Sequence, residues 1–97
     1  MTTETAQTIR LAGRVGVLTA GDLRARLHAA IDGGSGPLRV DVAGLELVDP
    51  AGLGVLVGAA RRARRRDRSL RLVAVPAPLG RLLAVHRLGD VLRVERP

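Results

Sequence analysis

Residues 40–58 read VDVAGLELVDPAGLGVLVG, and the fold is decided at a junction inside them, Val48-Asp49-Pro50-Ala51. Leu38 to Val42 is a β-rich apolar run, Ala43-Gly44 loosens it, Leu45 to Val48 resumes it and Asp49-Pro50 stops it. The same two residues open a helix. The Asp49 carboxylate can accept from the free N–H of Ala51 or Gly52, and Pro50 stands where its missing N–H is no loss and its fixed φ already suits a helix. The spacing Leu53, Leu56, Val57, Ala60 predicts one buried helical stripe. A second stripe, Ala51, Gly54, Val55 and Gly58, is small and uncharged before Arg61, Arg62 and Arg65 follow. An interior glycine costs roughly 0.8–1.0 kcal/mol relative to alanine, so Gly54 and Gly58 predict a close approach to the helix backbone. A partner protein is expected to make it.

Working outward from this junction, the chain alternates strand and helix signals. Thr8 to Leu11 and Arg14 to Leu18 flank Ala12-Gly13, which predicts a tight hairpin, preceded by a loose polar arm over Met1 to Gln7. Thr19 with Asp22 three residues on resembles a capping box, and Leu23, Leu27, Ala30 and Ile31 give that helix its apolar stripe. The breaker cluster Asp32-Gly33-Gly34-Ser35-Gly36-Pro37 ends it. After the pivotal strand, the second helix is expected to run to about Asp67. A strand over Leu70 to Val75 closes at Pro76-Ala77-Pro78, a short helix covers Leu79 to His86, and Val91 to Val94 forms the last strand. The order β-β-α-β-α-β-α-β predicts an α/β fold whose parallel strand pairs are joined by right-handed crossovers.

Ninety-seven residues suit one domain, 1–97. With no Phe, Tyr or Trp, its core must be built from Leu, Val, Ala and Ile. The stacking platforms used for single-stranded nucleic acid are missing too. There is no cysteine, which excludes disulfides and thiolate metal sites. All sixteen cations are Arg; against nine acids they give +7, a balance that favours acidic partners of some kind. The longest apolar run, Leu53 to Ala60, is too short to cross a bilayer, and Met1 to Gln7 lacks a signal-peptide layout. A cytoplasmic protein without membrane insertion is expected.

The loudest local motif is Arg61-Arg62-Ala63-Arg64-Arg65-Arg66-Asp67-Arg68. It reads either as a phosphate-binding patch or as a solvated helix end whose cations complement the dipole, and the second reading is preferred because helical spacing scatters the guanidinium groups. Gly52-x-Gly54-x-x-x-Gly58 has one residue too many for a dinucleotide fingerprint and starts inside the helix. His28 and His86 stand alone, so no metal or cofactor is expected. Asp41 and Asp49 are read as a strand-end residue and a cap, not as paired catalytic carboxylates, and no nucleophile with an adjacent base can be assembled, so the chain is not expected to be an enzyme.

Taken together, Leu11-Ala12-Gly13-Arg14-Val15-Gly16, the helix from Thr19, LRVDVAGLELVD (38–49), PAGLGVLVGAARRA (50–63) and RLLAVHRLGDVLRV (81–94) resemble a STAS domain, in particular the bacterial anti-sigma-factor antagonists, from about Ile9 to Val94. The resemblance implies a four- to five-stranded mixed sheet with three to four helices. It also implies a partner that is both an anti-sigma factor and a serine kinase, which the antagonist binds until the kinase phosphorylates a serine at the start of the second helix. The family's Asp-Ser-Ser-Gly is here Asp49-Pro50-Ala51-Gly52, with neither hydroxyl, and its Gly-Glu-Leu-Asp is Gly13-Arg14-Val15-Gly16. The familiar off-switch is therefore expected to be absent. The expected partner-binding patch comprises Gly16, Thr19, Asp49, Pro50, Ala51, Gly52, Gly54, Val55 and Gly58. The alternatives are a STAS subunit of another regulatory or transporter-associated complex, a homodimer built on the same helix face, phosphorylation moved to Thr19, and a basic nucleic-acid or anionic-surface binder acting through Arg61 to Arg68.

Overall fold

The computed structural model describes residues 7–95, so the expected polar arm lies outside the described residues except for Gln7, which opens the first strand. The elements are β1 (Gln7–Val15), α1 (Ala20–Asp32), β2 (Leu38–Leu47), α2 (Pro50–Arg65), β3 (Leu70–Val73), α3 (Ala77–Val85) and β4 (Arg93–Val94). The strands form one sheet in the order β1-β2-β3-β4, and each neighbouring pair is parallel. Parallel neighbours cannot be joined by a tight turn, and α1, α2 and α3 supply the three crossovers.

The core follows from strand alternation. Leu38, Val40 and Val42 of β2 and Leu70 and Leu72 of β3 point to one face, where they meet Leu23, Leu27 and Ile31 of α1, Leu56 and Ala59 of α2, and Leu79 and Leu83 of α3. Arg39, Asp41 and Arg71, the intervening residues, point to the other face, which is polar. Without aromatic rings, the largest fully buried side chains are leucines, an isoleucine and valines, among them Leu11, Leu27, Ile31, Leu56 and Leu92.

Several expectations are corrected. No hairpin forms at Ala12-Gly13: β1 runs on as one nine-residue strand. Gly13 does take φ +103°, but the strand is irregular here, not reversed. Pairing passes from Arg10↔Asp41 to Ala12↔Gly44, so two steps along β1 answer three along β2. Gly44 sits at this bulge, where a Cβ would lie 3.1 Å from the Ala12 Cβ. The two glycines that suggest a turn in β1 and a loose joint in β2 thus serve one distortion shared by both strands, and every described strand pair is parallel.

The helices shift less. Thr19 stands at the N-cap of α1 but makes no side-chain cap bond. The Asp49-Pro50 opening of α2 forms as expected, while α2 ends at Arg65, just before Asp67 takes φ 55°. Ala74 at φ 57° closes β3 two residues early. The helix α3 starts two residues early because Pro78 fits a first helical turn.

Candidate functional site

Val15 and Leu47 are register partners at the ends of β1 and β2, so the loops into α1 and α2 leave the sheet side by side. The Val48 N–H donates to the Val15 carbonyl at 2.9 Å and keeps the two chains together one residue further. Asp49 then turns extended, at φ −156°, and its carboxylate does two things. Oδ1 accepts from the Ala51 N–H at 2.9 Å, capping α2, and Oδ2 accepts from the Val17 N–H at 2.9 Å, fastening the neighbouring loop. Beneath this joint, a Cβ on Gly16 would lie 2.8 Å from both Asp49 Oδ2 and Val48 Cγ2. Only a residue without a side chain lets the loops approach this closely.

Thr19 completes the turn. Its hydroxyl accepts from the Gly16 N–H at 3.0 Å and lies 3.3 Å from the Arg14 carbonyl, which it reaches as a donor. With the loop held at both ends, the side chains between are turned outward: Val17 is 73% exposed and Leu18 95% exposed. Val48, across the joint, is 47% exposed. Three aliphatic side chains thus ring the mouth of α2 beside exposed Pro50 and half-buried Ala51. Single exposed aliphatic side chains are ordinary, but Val17 and Leu18 adjacent on a braced loop, next to Val48, form a small apolar rim.

Of the predicted patch, Thr19, Asp49, Pro50 and Ala51 do gather at this loop end. Gly54 and Gly58 are exposed on the outer side of α2, and among the described residues nothing beyond their chain neighbours and the helix's own backbone lies within 4 Å of where their Cβ atoms would be. Gly16, Gly52 and Val55 are corrections: all three are buried, Val55 at 3% exposure. Gly52 is where α2 meets the strand ends, its missing Cβ leaving room for Leu47 Cδ2 at 2.6 Å and Val15 Cγ1 at 3.2 Å. The buried stripe of α2 is Gly52, Val55, Leu56, Ala59, Ala60 and Ala63, with Leu53 and Val57 half-buried at its margin. The helix thus divides between the two expected stripes: Val55 turns inward with Leu56 and Ala60 while Gly54 and Gly58 stay outside, and the small Gly52, Ala59 and Ala63 on the inner side let the helix axis approach the sheet.

Val17, Leu18 and Val48 were not singled out from the sequence. Their signal was present as a Val-Leu pair directly before a helix cap, but reading Arg14 to Leu18 as a strand gave both side chains an ordinary place.

The remaining candidates resolve locally. Asp41 accepts from the Ala43 N–H at 2.9 Å and faces Arg10 at 3.8 Å on the polar side of the sheet, so it does not join Asp49. Among the described residues no group of three His, Cys, Asp or Glu is placed to hold a metal ion. The arginine run divides. Arg62 and Arg66 both pair with Asp32 at the end of α1. The hydrogen bond from Arg62 holds the Asp32 carboxyl below its ordinary range and raises the guanidinium in turn. His28, close by, is lowered by burial first and then by the Arg62 charge.

Arg68 is buried, and its guanidinium donates to the carbonyls of Ala30, Ile31 and Gly36 at 2.8–2.9 Å and to Gln7 Oε1 at 3.0 Å. Those α1 carbonyls lie at the negative end of the helix dipole, so a cation without a carboxylate partner is accommodated there. Three of the six arginines are therefore part of the scaffold.

A parallel sheet in sequential order, three crossover helices and the cap at the mouth of α2 place the molecule in the class of STAS-like α/β domains. The chain belongs to the STAS family: the family profile described as "Mlab, STAS domain" matches residues 2–94. Among curated relatives it is similar to the anti-sigma-B factor antagonists of Staphylococcus epidermidis, at 26% identity over 90% of this chain and 81% of the relative, and of Staphylococcus aureus, at 25% identity over the same shares. Among solved structures it is similar to the anti-sigma factor antagonist SpoIIAA in its unphosphorylated form, with TM-score 0.72, 21% identity and coverage of 99% of this chain and 84% of that one. A protein of Thermotoga maritima matches with TM-score 0.77 and 15% identity over 93% and 80% of the two chains. No helix among the described residues is long and apolar enough to cross a membrane.

Proposed function

We propose that this chain is a non-catalytic protein-binding module acting in the manner of an anti-sigma factor antagonist, with an anti-sigma factor or serine-kinase-like protein as its partner. The observation that carries the reading is the braced rim: Val17 and Leu18 stand exposed beside the first turn of α2, held there by the bond between the Val17 N–H and Asp49. Its support is that relatives named anti-sigma-B factor antagonists align over 90% of the chain. The contact surface comprises Val17, Leu18, Val48 and Pro50, continued along α2 by Gly54 and Gly58. A phosphoryl group needs an oxygen to receive it, and Pro50 and Ala51 have none, so binding persists in the presence of ATP. Incubating the partner with this chain and ATP tests that point. Stable complex and unmodified chain by mass spectrometry are expected; ATP-driven release with a phosphate on Thr19 would overturn it.

A further inference from the structure

On one side β2 is paired to its end, on the other only over its first half. Its ladder with β1 reaches Val15↔Leu47, whereas its ladder with β3 stops at Asp41↔Val73. The reason lies just after β3: Ala74, at φ 57°, turns the chain away, and Pro76 and Pro78, which have no N–H to give to a ladder, open α3. The Val48 N–H donates to the Val15 carbonyl, so residues 46 and 48 turn their backbone groups toward β1. Alternation turns those of Leu45 and Leu47 the other way, toward an edge that no strand among the described residues covers. An open strand edge is a template for another chain.

Opposite this edge stands α3. Between them lies a cleft of about 390 Å³, walled by Leu45, Glu46 and Leu47 of β2 and by Pro76, Leu79 and Leu82 at the start of α3. Leu45 is buried on the helix-bearing face of the sheet. Glu46, one residue on, belongs to the polar face, and its side chain is 66% exposed although Arg14 stands 3.6 Å away. It is the one charged residue lining the cleft, an acidic spot on a chain of net charge +7.

We propose that this cleft takes an extended segment of a partner protein, alternating aliphatic and basic residues, as an added strand beside β2. The main chain of the segment bonds to the Leu45 and Leu47 peptide groups, and alternate side chains supply the selectivity. Its aliphatic side chains lie on the face shared with Leu45 and rest against Leu79 and the exposed part of Leu82. A Lys or Arg between them falls on the polar face beside Glu46, where opposite charges on neighbouring strands attract. The guest lies in line with β3, which blocks one end of the cleft, while α3 walls its side. A single narrow segment fits there, and the edge of a second folded sheet does not. The added strand uses neither Val17 nor Leu18, so it stands apart from the function proposed above.

The test is an amide-resolved NMR titration of the whole chain with the end-capped peptide Thr-Val-Lys-Val-Thr. Two controls run beside it: the same peptide with Glu in place of Lys, and the Lys peptide with every peptide nitrogen methylated. Saturable shifts and slowed exchange at the Leu45 and Leu47 amides are expected with the Lys peptide, and none with the methylated one. The Lys peptide should bind about threefold or more tighter than the Glu peptide, and Glu46→Arg should reverse that order. Leu82→Gln should weaken both, whereas Leu18→Glu should leave them unchanged, which keeps the result independent of the rim. The reversed order in Glu46→Arg also guards against misfolding, since an unfolded variant would bind neither peptide. Absence of shifts at these two amides at millimolar peptide, equal binding of the methylated peptide, or an order that Glu46→Arg does not reverse would overturn the proposal. So would concentration-dependent shifts at the same amides without peptide, which would assign the cleft to a second copy of the chain.

Discussion

The Val17 N–H donates to Asp49 Oδ2 at 2.9 Å across thirty-two residues of chain. One carboxylate therefore couples the end of β1 to the start of α2, because its other oxygen caps that helix. The first prediction separates the two roles. Asp49→Ala removes both bonds and should destabilise the domain by about 1–2 kcal/mol, as loss of a helix cap does. Asp49→Asn keeps an oxygen for Ala51 but turns an N–H₂ toward Val17, so it should cost less while freeing the loop. Urea denaturation gives the ranking, and amide exchange at Val17 reports the loop.

Arg68 supports the opposite end of the molecule. Replacing it with Met keeps the bulk but leaves the Ala30, Ile31 and Gly36 carbonyls without the donor they share. Each buried group left unsatisfied costs about 1–3 kcal/mol, against a total of roughly 5–15 kcal/mol for a domain. Arg68→Met should therefore be far more damaging than Arg61→Met or Arg65→Met, whose side chains are exposed. Equal denaturation midpoints for the three variants would refute this assignment.

The pairing of Asp32 with Arg62 and Arg66 sets a pH dependence. Its carboxyl titrates below the ordinary value in the folded chain, so its contribution is present above the unfolded value and disappears as pH falls through the folded one. His28 is also lowered, which means the folded state favours the neutral ring and loses stability as pH drops from about 6.5 through the folded value. Both slopes have the same sign: stability declines toward acid in two steps. Thermal melts across pH should show His28→Gln removing the upper step and Asp32→Asn the lower one.

Gly54 and Gly58 offer a test of cost against use. Among the described residues, neither has another element of the chain near its missing Cβ, and an interior helical glycine is worse than alanine by roughly 0.8–1.0 kcal/mol. The double change to alanine should raise stability by about 1–2 kcal/mol and weaken the partner complex. A variant that is more stable and binds equally well would remove α2's outer side from the interface.

Much of the fold could be read from the chain because its strongest signals are local. Asp49-Pro50 needs only the next two residues to act as a helix opening, and the stretch from Asp32 to Pro37 stops α1 whatever surrounds it. What escaped depends on distant partners. Gly13 and Gly44 look like separate loosening points until β1 is laid beside β2, where they belong to one bulge. Val55 and Leu53 are equally apolar, and only the approach of the sheet decides that Val55 turns inward. Arg62 and Arg68 are neighbours in a uniform run, yet one holds Asp32 and the other the end of α1, some thirty residues back. The rim shows the same limit: Val17 and Leu18 are exposed because Asp49 and Thr19 brace the loop between them.

On the proposed function, the apolar rim at the mouth of α2 captures a regulatory protein. Leu18→Glu tests it most directly, since Leu18 is 95% exposed and touches nothing the fold needs. Wild type and variant are used side by side to capture partners from the native cell, with and without ATP, and the captured proteins are identified by mass spectrometry. The wild type should retain an anti-sigma factor or kinase-like protein in both conditions, and Leu18→Glu should lose it, a drop of at least about tenfold. Retention of the same protein at the same level by Leu18→Glu would contradict it.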